Sequence, residues 1–409
     1  MERGKFAACA SDERHPDWQT HIRRETPLYQ RDNDIRTPFE RDYTRILHCL
    51  AYRRLKHKTQ VFFNIDNDHI CTRMEHVQHV ESVSCTIARF LGLNTDLTRA
   101  IAMGHDLGHA PFGHEGEIEL TRIRNENGMD KFWHERNSLR VIDKLALLEN
   151  NKSDFNNLDL TYAVRDGIIS HCGEVDENGL MPRREAIDLD IYSSPGQYAP
   201  YTWEGCVVKI SDKIAYLGRD IEDAIRLGFL DDSDIADLGR LSGKYDESTI
   251  NTTVLINDFI VSICENSSPE AGIRLSDKHC RMLDEIKAFN TQRIYKNPKF
   301  DAYRKYASLV IRSVYELLIE QYCGADTVAK LLSIKHSYRS LISDFIDFIN
   351  KYMAPGMLGD KLGRYERYRN AKIYGDLGTR EQYAEAILDF ISCMTDRYAV
   401  AIHSELLRY

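Results

Sequence analysis

Histidines and carboxylates crowd one stretch of the chain: eight of the fifteen histidines lie between His57 and His134. Imidazole is the commonest metal ligand and the usual proton carrier near neutral pH. His105 and Asp106 are adjacent, and His76 precedes them on a segment of helical periodicity. Neutral imidazole with carboxylate makes a mixed nitrogen–oxygen donor set, which suits Mn, Fe, Co, Ni or Mg better than a structural zinc. An ion held with open positions would lower the pKa of a bound water and neutralise phosphate charge. Density alone does not separate this from a surface histidine cluster, the plainer account of the same residues.

The elements that must position these groups read as helices. In 73–91, Met74, Val77, Val80, Val83, Ile87 and Phe90 recur three or four residues apart and form one apolar face, with His76 at its edge. Asn94 or Thr95 can cap the next helix, which ends near Gly104 and Gly108, with His105 and Asp106 at its end. Residues 109–117, HAPFGHEGE, read as a loop or short turn, and 135–148 return to helix. A further helix is expected over 207–228, with Val207, Ile210, Ile214, Leu217, Ile221 and Ile225 as its buried stripe. Asp212, Tyr216, Arg219 and Asp220 share its other face. Asp212 at the start of that face can join a metal, and Lys213 beside it can reach phosphate oxygens; a solvated polar face explains the same pattern.

Without an alternating strand series or internal repeat, the expected fold is all-α with a few short strands. Residues 1–26 are polar and aperiodic and read as a flexible arm. The core is expected over 27–230, and 231–409 as a helical C-terminal region contributing to a substrate pocket and oligomer contacts. The net charge of -9 offers no overall basic footprint for nucleic acid. The ten cysteines are scattered without CxxC spacing, so reduced thiols in a cytoplasmic protein are expected rather than a thiolate zinc site. No apolar run reaches the roughly 18 residues that span a bilayer.

Several runs then converge on one family. TRMEHVQHV, GHDLGHAPFGHEGE, FWHERNSLRVI and VVKISDKIAYLGRDIEDAIRLG resemble the HD-domain deoxynucleoside triphosphate triphosphohydrolases, among them the bacterial dGTPase-like proteins. RDYTRILHCLAYRRLKHKTQVF resembles the family's N-terminal stretch and LDFISCMTDRYA its C-terminal signature. The resemblance implies a divalent metal held by His76, His105, Asp106 and Asp212. It implies catalytic roles for His109, His114, Glu117 and His134, the first three at offsets of four, nine and twelve from His105. The implied reaction is attack on the α-phosphorus, giving a deoxynucleoside and intact triphosphate. His114, oriented by Glu117, is placed to donate a proton to the sugar 5′-oxygen or to position the nucleophile.

For substrate contacts the resemblance suggests Arg73 at phosphate, Lys213, Tyr216 and Asp220 near phosphates and sugar, Gln60 near the sugar, and Tyr303 near base or sugar. His171 in IISHCGE matches a recurrent family histidine of open role, while His79 fits no family position and reads as structural. Arg53, Arg54 and Lys58 form a basic cluster facing phosphate, an oligomer interface or solvent. The family also implies a homo-oligomer, often a hexamer, and a dGTP preference is the form it suggests. Some members bind single-stranded DNA, for which the net charge gives no support here. The alternatives are another HD phosphohydrolase, acting on a nucleoside monophosphate, cyclic nucleotide or alarmone, and a non-catalytic nucleotide sensor.

Overall fold

Apolar residues at helical spacing build most of the chain into α-helices, several of them started by a side-chain cap. The computed structural model describes residues 2–26, 34–63, 67, 69–172, 178–242, 252–354 and 364–408. Among them the only sheet is a two-stranded antiparallel pair, Leu147–Glu149 with Phe155–Asn157. The fold is all-α, as the periodicity predicts. No helix among the described residues is long and apolar enough to cross a membrane.

The chain forms two compact units, each drawn from three segments. The first takes residues 1–47, 60–106 and 160–301. Its centre is the helix Trp203–Arg226, which packs against Arg73–Leu91, Thr95–Gly104, Tyr162–Ile169 and Thr252–Asn266. Val207, Ile214, Leu217 and Ile221 are buried along it, as the apolar stripe requires. Local caps fix the helix starts. Thr72 and Glu75 form a reciprocal capping box before Arg73, and the Asn94 side chain accepts from the backbone N–H groups of Asp96 and Leu97. The helix at 207–228 begins earlier than its stripe suggests, at Trp203, because the Thr202 hydroxyl accepts from the Gly205 N–H at 3.1 Å.

Residues 2–26, read from sequence as a loose arm, are held down in this unit. Phe6 is wholly buried, with its ring 4.9 Å from that of Trp203. Ser11 donates its backbone N–H and hydroxyl to Glu204 at 3.0 and 2.9 Å. A few buried anchors in a polar segment leave no periodic trace.

The second unit takes residues 48–59, 107–159 and 302–409. The run HAPFGHEGE, expected as a loop, is half helix: Gly113–Glu126 starts inside it. Glu115 and Glu117 fall near the start of this helix, where carboxylates complement the dipole. Helix His134–Arg140 is shorter than the expected 135–148. It passes into a π turn, Val141–Leu145, and the chain then pairs as a strand from Leu147. The Tyr352 hydroxyl donates to the buried Leu145 carbonyl at the end of that turn. Lys58, read as part of a basic cluster facing phosphate, an oligomer interface or solvent, is buried, donating to the backbone carbonyls of His109 and Ser392.

Candidate active site

The first unit brings together two imidazole–carboxylate groups that share His105: His76, His105 and Asp212, and His105, Asp106 and His171. In each group the donor atoms lie within 4.8 Å of one another. His76 sits in the first turn of Arg73–Leu91, with Nε2 3.0 Å from Asp212 Oδ1 and 3.9 Å from Asp106 Oδ2. His105 caps the end of Thr95–Gly104. Its Nδ1 lies 2.6 Å from the Ala102 carbonyl, which can only accept, so Nδ1 carries the proton. The lone pair is therefore on Nε2, which faces Asp106 at 3.4 Å and Asp212 at 3.8 Å. Asp212 stands on the polar face of Trp203–Arg226, where the sequence put it.

The electrostatics of this cluster call for a cation. Burial disfavours charge on Asp212, yet the imidazoles of His76, His105 and His171 hold its carboxyl well below the usual range. Burial likewise opposes a proton on His76, but Asp212 and Asp106 outweigh it and raise its pKa. Two carboxylates converge here on imidazole nitrogens, and this nitrogen–oxygen donor set fits a divalent ion. Arg73 is buried and donates from Nη1 to Asp106 Oδ2 at 2.8 Å, so it steadies a candidate ligand.

One helical turn beyond Tyr216, the buried carboxyl of Asp220 accepts from the Tyr295 hydroxyl. Burial pushes Asp220 up to about 6. Burial and the Asp220 charge hold the Tyr295 phenol well above its usual value. Tyr295 escaped the sequence reading, which favoured Tyr303. The structure puts the Tyr303 hydroxyl on the Phe112 carbonyl at 2.9 Å, inside the second unit. Tyr295 ends a π turn, Thr291–Tyr295, and no local pattern distinguishes it from its neighbours. Lys213 and Tyr216 are half-buried on the same helix as Asp212. Gln60 is half-buried too, and its side-chain carbonyl has no hydrogen-bond partner.

The second unit gathers His109, His114 and His134 around Glu117. Nδ1 of His109 and Nδ1 of His134 lie 3.1 and 3.0 Å from Glu117 Oε1, and Nδ1 of His114 lies 3.4 Å from Oε2. The rings of His109 and His134 stack at 3.9 Å. His109 is buried, whereas the His114 side chain is 72% exposed. Burial opposes charge on Glu117, but His134 and His109 hold its carboxyl well below the usual range. One ionised carboxylate thus serves three groups that can carry protons.

Close packing fixes this cluster. A Cβ on Gly108 would stand 2.0 Å from the Ser138 nitrogen, so only glycine lets the segment before His109 lie against the helix that begins at His134. Phe112, just before the helix bearing His114 and Glu117, adopts φ +66, rare for a residue with a side chain. Asp396 accepts its N–H at 2.9 Å and Tyr303 bonds its carbonyl, so both ends of that peptide conformation are held.

Comparison with known proteins identifies the family. The HD domain family matches residues 73–217, a span that opens on Arg73 and takes in His76, His105, Asp106, Asp212 and the whole Glu117 cluster. A deoxyguanosinetriphosphate triphosphohydrolase-like protein of Caldanaerobacter subterraneus is 35% identical over 374 residues, covering 91% of this chain and 86% of the relative. One of Clostridium tetani is 37% identical over 297 residues, covering 72% and 76%. One of Wolinella succinogenes is 29% identical over 390 residues, covering 91% and 96%. The chain belongs to the deoxyguanosinetriphosphate triphosphohydrolase-like family. The protein is an HD-family phosphohydrolase, and its buried histidine–aspartate cluster has the donors that metal-dependent HD chemistry needs.

Proposed function

We propose that the protein hydrolyses deoxynucleoside triphosphates, dGTP foremost, to the deoxynucleoside and intact triphosphate. The carrying observation is the Glu117 cluster, three imidazoles on one ionised carboxylate, in a chain whose other cluster gathers donors that could hold a divalent cation. The second cluster follows the first directly, since His109 comes three residues after Asp106. A triphosphate leaving as one piece carries dense negative charge, and a 5′-alkoxide must be protonated as it departs.

His76, His105, Asp106 and Asp212 would hold the ion, which supplies positive charge and an acidified water. The reaction forms a bond from a water oxygen to the α-phosphorus and breaks the bond from phosphorus to O5′. His114, the exposed member of its cluster, gives a proton to O5′ while Glu117 keeps its ring oriented. His109 and His134 present their Nε2 faces to phosphate oxygens, because their Nδ1 atoms are turned to Glu117. Arg73 and Lys213 add positive charge. Asp220 and Tyr295, locked to each other, and Tyr216 beside them form the edge that reads the deoxyribose.

The test is product analysis with Mn(II) and each dNTP in water enriched in oxygen-18. Tripolyphosphate bearing the label on one terminal phosphate, with unlabelled deoxynucleoside, is expected. Release of pyrophosphate or orthophosphate, or label in the nucleoside, overturns the proposal.

A further inference from the structure

His171 is buried to within 1% of full exclusion and is used by none of the roles above. It follows the helix Tyr162–Ile169, two residues beyond its end. Its Nδ1 lies 2.6 Å from the Ile168 carbonyl, three residues back. His105 uses the same device, 2.6 Å from the Ala102 carbonyl three residues back. In both, the carbonyl fixes the proton on Nδ1 and turns the Nε2 lone pair away from the helix end. The two rings lie 4.9 Å apart, and His171 offers a donor within 4.8 Å of those of His105 and Asp106.

Donors sharing one first-row ion at about 2.1 Å stand roughly 3 Å apart when adjacent and about 4.2 Å apart when opposite. Groups gathered within 4.8 Å therefore stand at most about 0.6 Å beyond the opposite spacing and about 1.8 Å beyond the adjacent one. Because both groups pass through His105, one ion serves them together. A histidine whose sole task is packing gains nothing from a lone pair turned toward two candidate ligands.

We infer that His171 is a fifth protein donor to the metal of the His76–His105–Asp106–Asp212 site, and that this third imidazole selects a nitrogen-seeking first-row ion over Mg. The inference rests on the metal-site assignment above. Mg takes oxygen ligands and gives up its waters reluctantly, whereas Mn, Fe, Co and Ni accept imidazole.

The experiment uses the full chain as wild type, His171→Ala, His171→Gln and His105→Ala, each checked for native circular dichroism. Mn(II), Co(II) and Mg(II) affinities are measured by titration, and nitrogen couplings to bound Mn(II) by pulsed electron paramagnetic resonance. His105→Ala is expected to abolish Mn(II) binding. His171→Ala is expected to weaken Mn(II) and Co(II) about tenfold to a hundredfold, to change Mg(II) by less than about twofold, and to remove one nitrogen coupling. Should the alanine variant misfold, His171→Gln, which fills more of the space without an imidazole nitrogen, must show the same loss. Unchanged couplings in the His171 variants, whatever the affinity, overturn the inference. Retention of Mn(II) by His105→Ala instead overturns the metal site on which it rests.

Discussion

The two histidine clusters use the same residue types to opposite ends. In the first, His105 ties Nδ1 to a backbone carbonyl and turns Nε2 on two carboxylates. In the second, His109, His114 and His134 all turn Nδ1 on one carboxylate. A ring anchored to a carbonyl presents a lone pair, which a metal can use. A ring anchored to an ionised carboxylate keeps a proton, which a phosphate or a leaving oxygen can use. The atom to which each ring is tied, more than the number of histidines, separates the two clusters.

The largest expected effect breaks the first cluster. Asp212→Ala removes the carboxylate that faces both His76 and His105, leaving their nitrogens without the charge that gathers a cation. Metal content by mass spectrometry should fall to background, and dNTP turnover should fall by more than about a thousandfold. Full metal loading in this variant would remove Asp212 from the ligand set.

Glu117→Gln tests the other side. It should lower kcat by about a hundredfold to a thousandfold while leaving Mn(II) affinity within about twofold. Stability has a direction too. Glu117 is held below its usual pKa in the folded chain, so its contribution is present above about pH 4.5 and is lost as pH falls through the folded value. Chemical denaturation from pH 7 down to pH 3 should therefore be steeper for the wild type than for Glu117→Gln. Equal loss of metal and activity in this variant would mean that the clusters are not divided as described.

A smaller effect belongs to Asp220, whose carboxyl burial pushes up to about 6. The folded chain holds this proton more tightly than the unfolded chain, where it leaves near pH 3.9. The stability it contributes is complete below about pH 4 and is lost as pH rises through about 6. Asp220→Asn should remove that loss, gaining at most about 3 kcal/mol on the wild type between pH 4 and 7. It should also weaken discrimination between dNTP and NTP by about tenfold, as should Tyr295→Phe, measured as a ratio of kcat/KM values. Unaltered discrimination in both variants would take the pair away from the sugar.

The contrast between clusters also explains what the chain reveals in advance. Helical periodicity puts His76 at the edge of an apolar stripe, His105 and Asp106 at a helix end and Asp212 on a polar face, and only the family resemblance implies that the four share a metal. The spacing of His109, His114 and Glu117 was legible as a motif, but the helix starting at Gly113 was hidden behind Pro111 and two glycines. Tyr295 was missed because its partner Asp220 lies 75 residues away and the π turn carrying it has no local signature. The burial of Lys58 could not be read in advance because the two carbonyls that it reaches come from residues 51 and 334 positions distant. The interleaving of three segments in each unit depends on such distant contacts and has no counterpart in the linear pattern.

His79 offers the smallest and most discriminating effect. It stands on the same helix as His76, three residues on, so mere proximity would enlist it in the metal cluster. Its Nδ1 has no hydrogen-bond partner, and His79 belongs to none of the donor groups among the described residues. Burial, with the Arg219 charge, lowers it to about 4, which keeps it neutral at pH 7. A histidine lowered in the folded state contributes stability that is whole above about pH 6.5 and is lost as pH falls toward 4, where the unfolded chain takes the proton first. His79→Gln should thus leave Mn(II) affinity and kcat within about twofold, and should gain about 1 kcal/mol or less on the wild type near pH 5 after allowance for solvent screening. Loss of metal in this variant would show that crowding, and not the tie of each ring, defines the cluster.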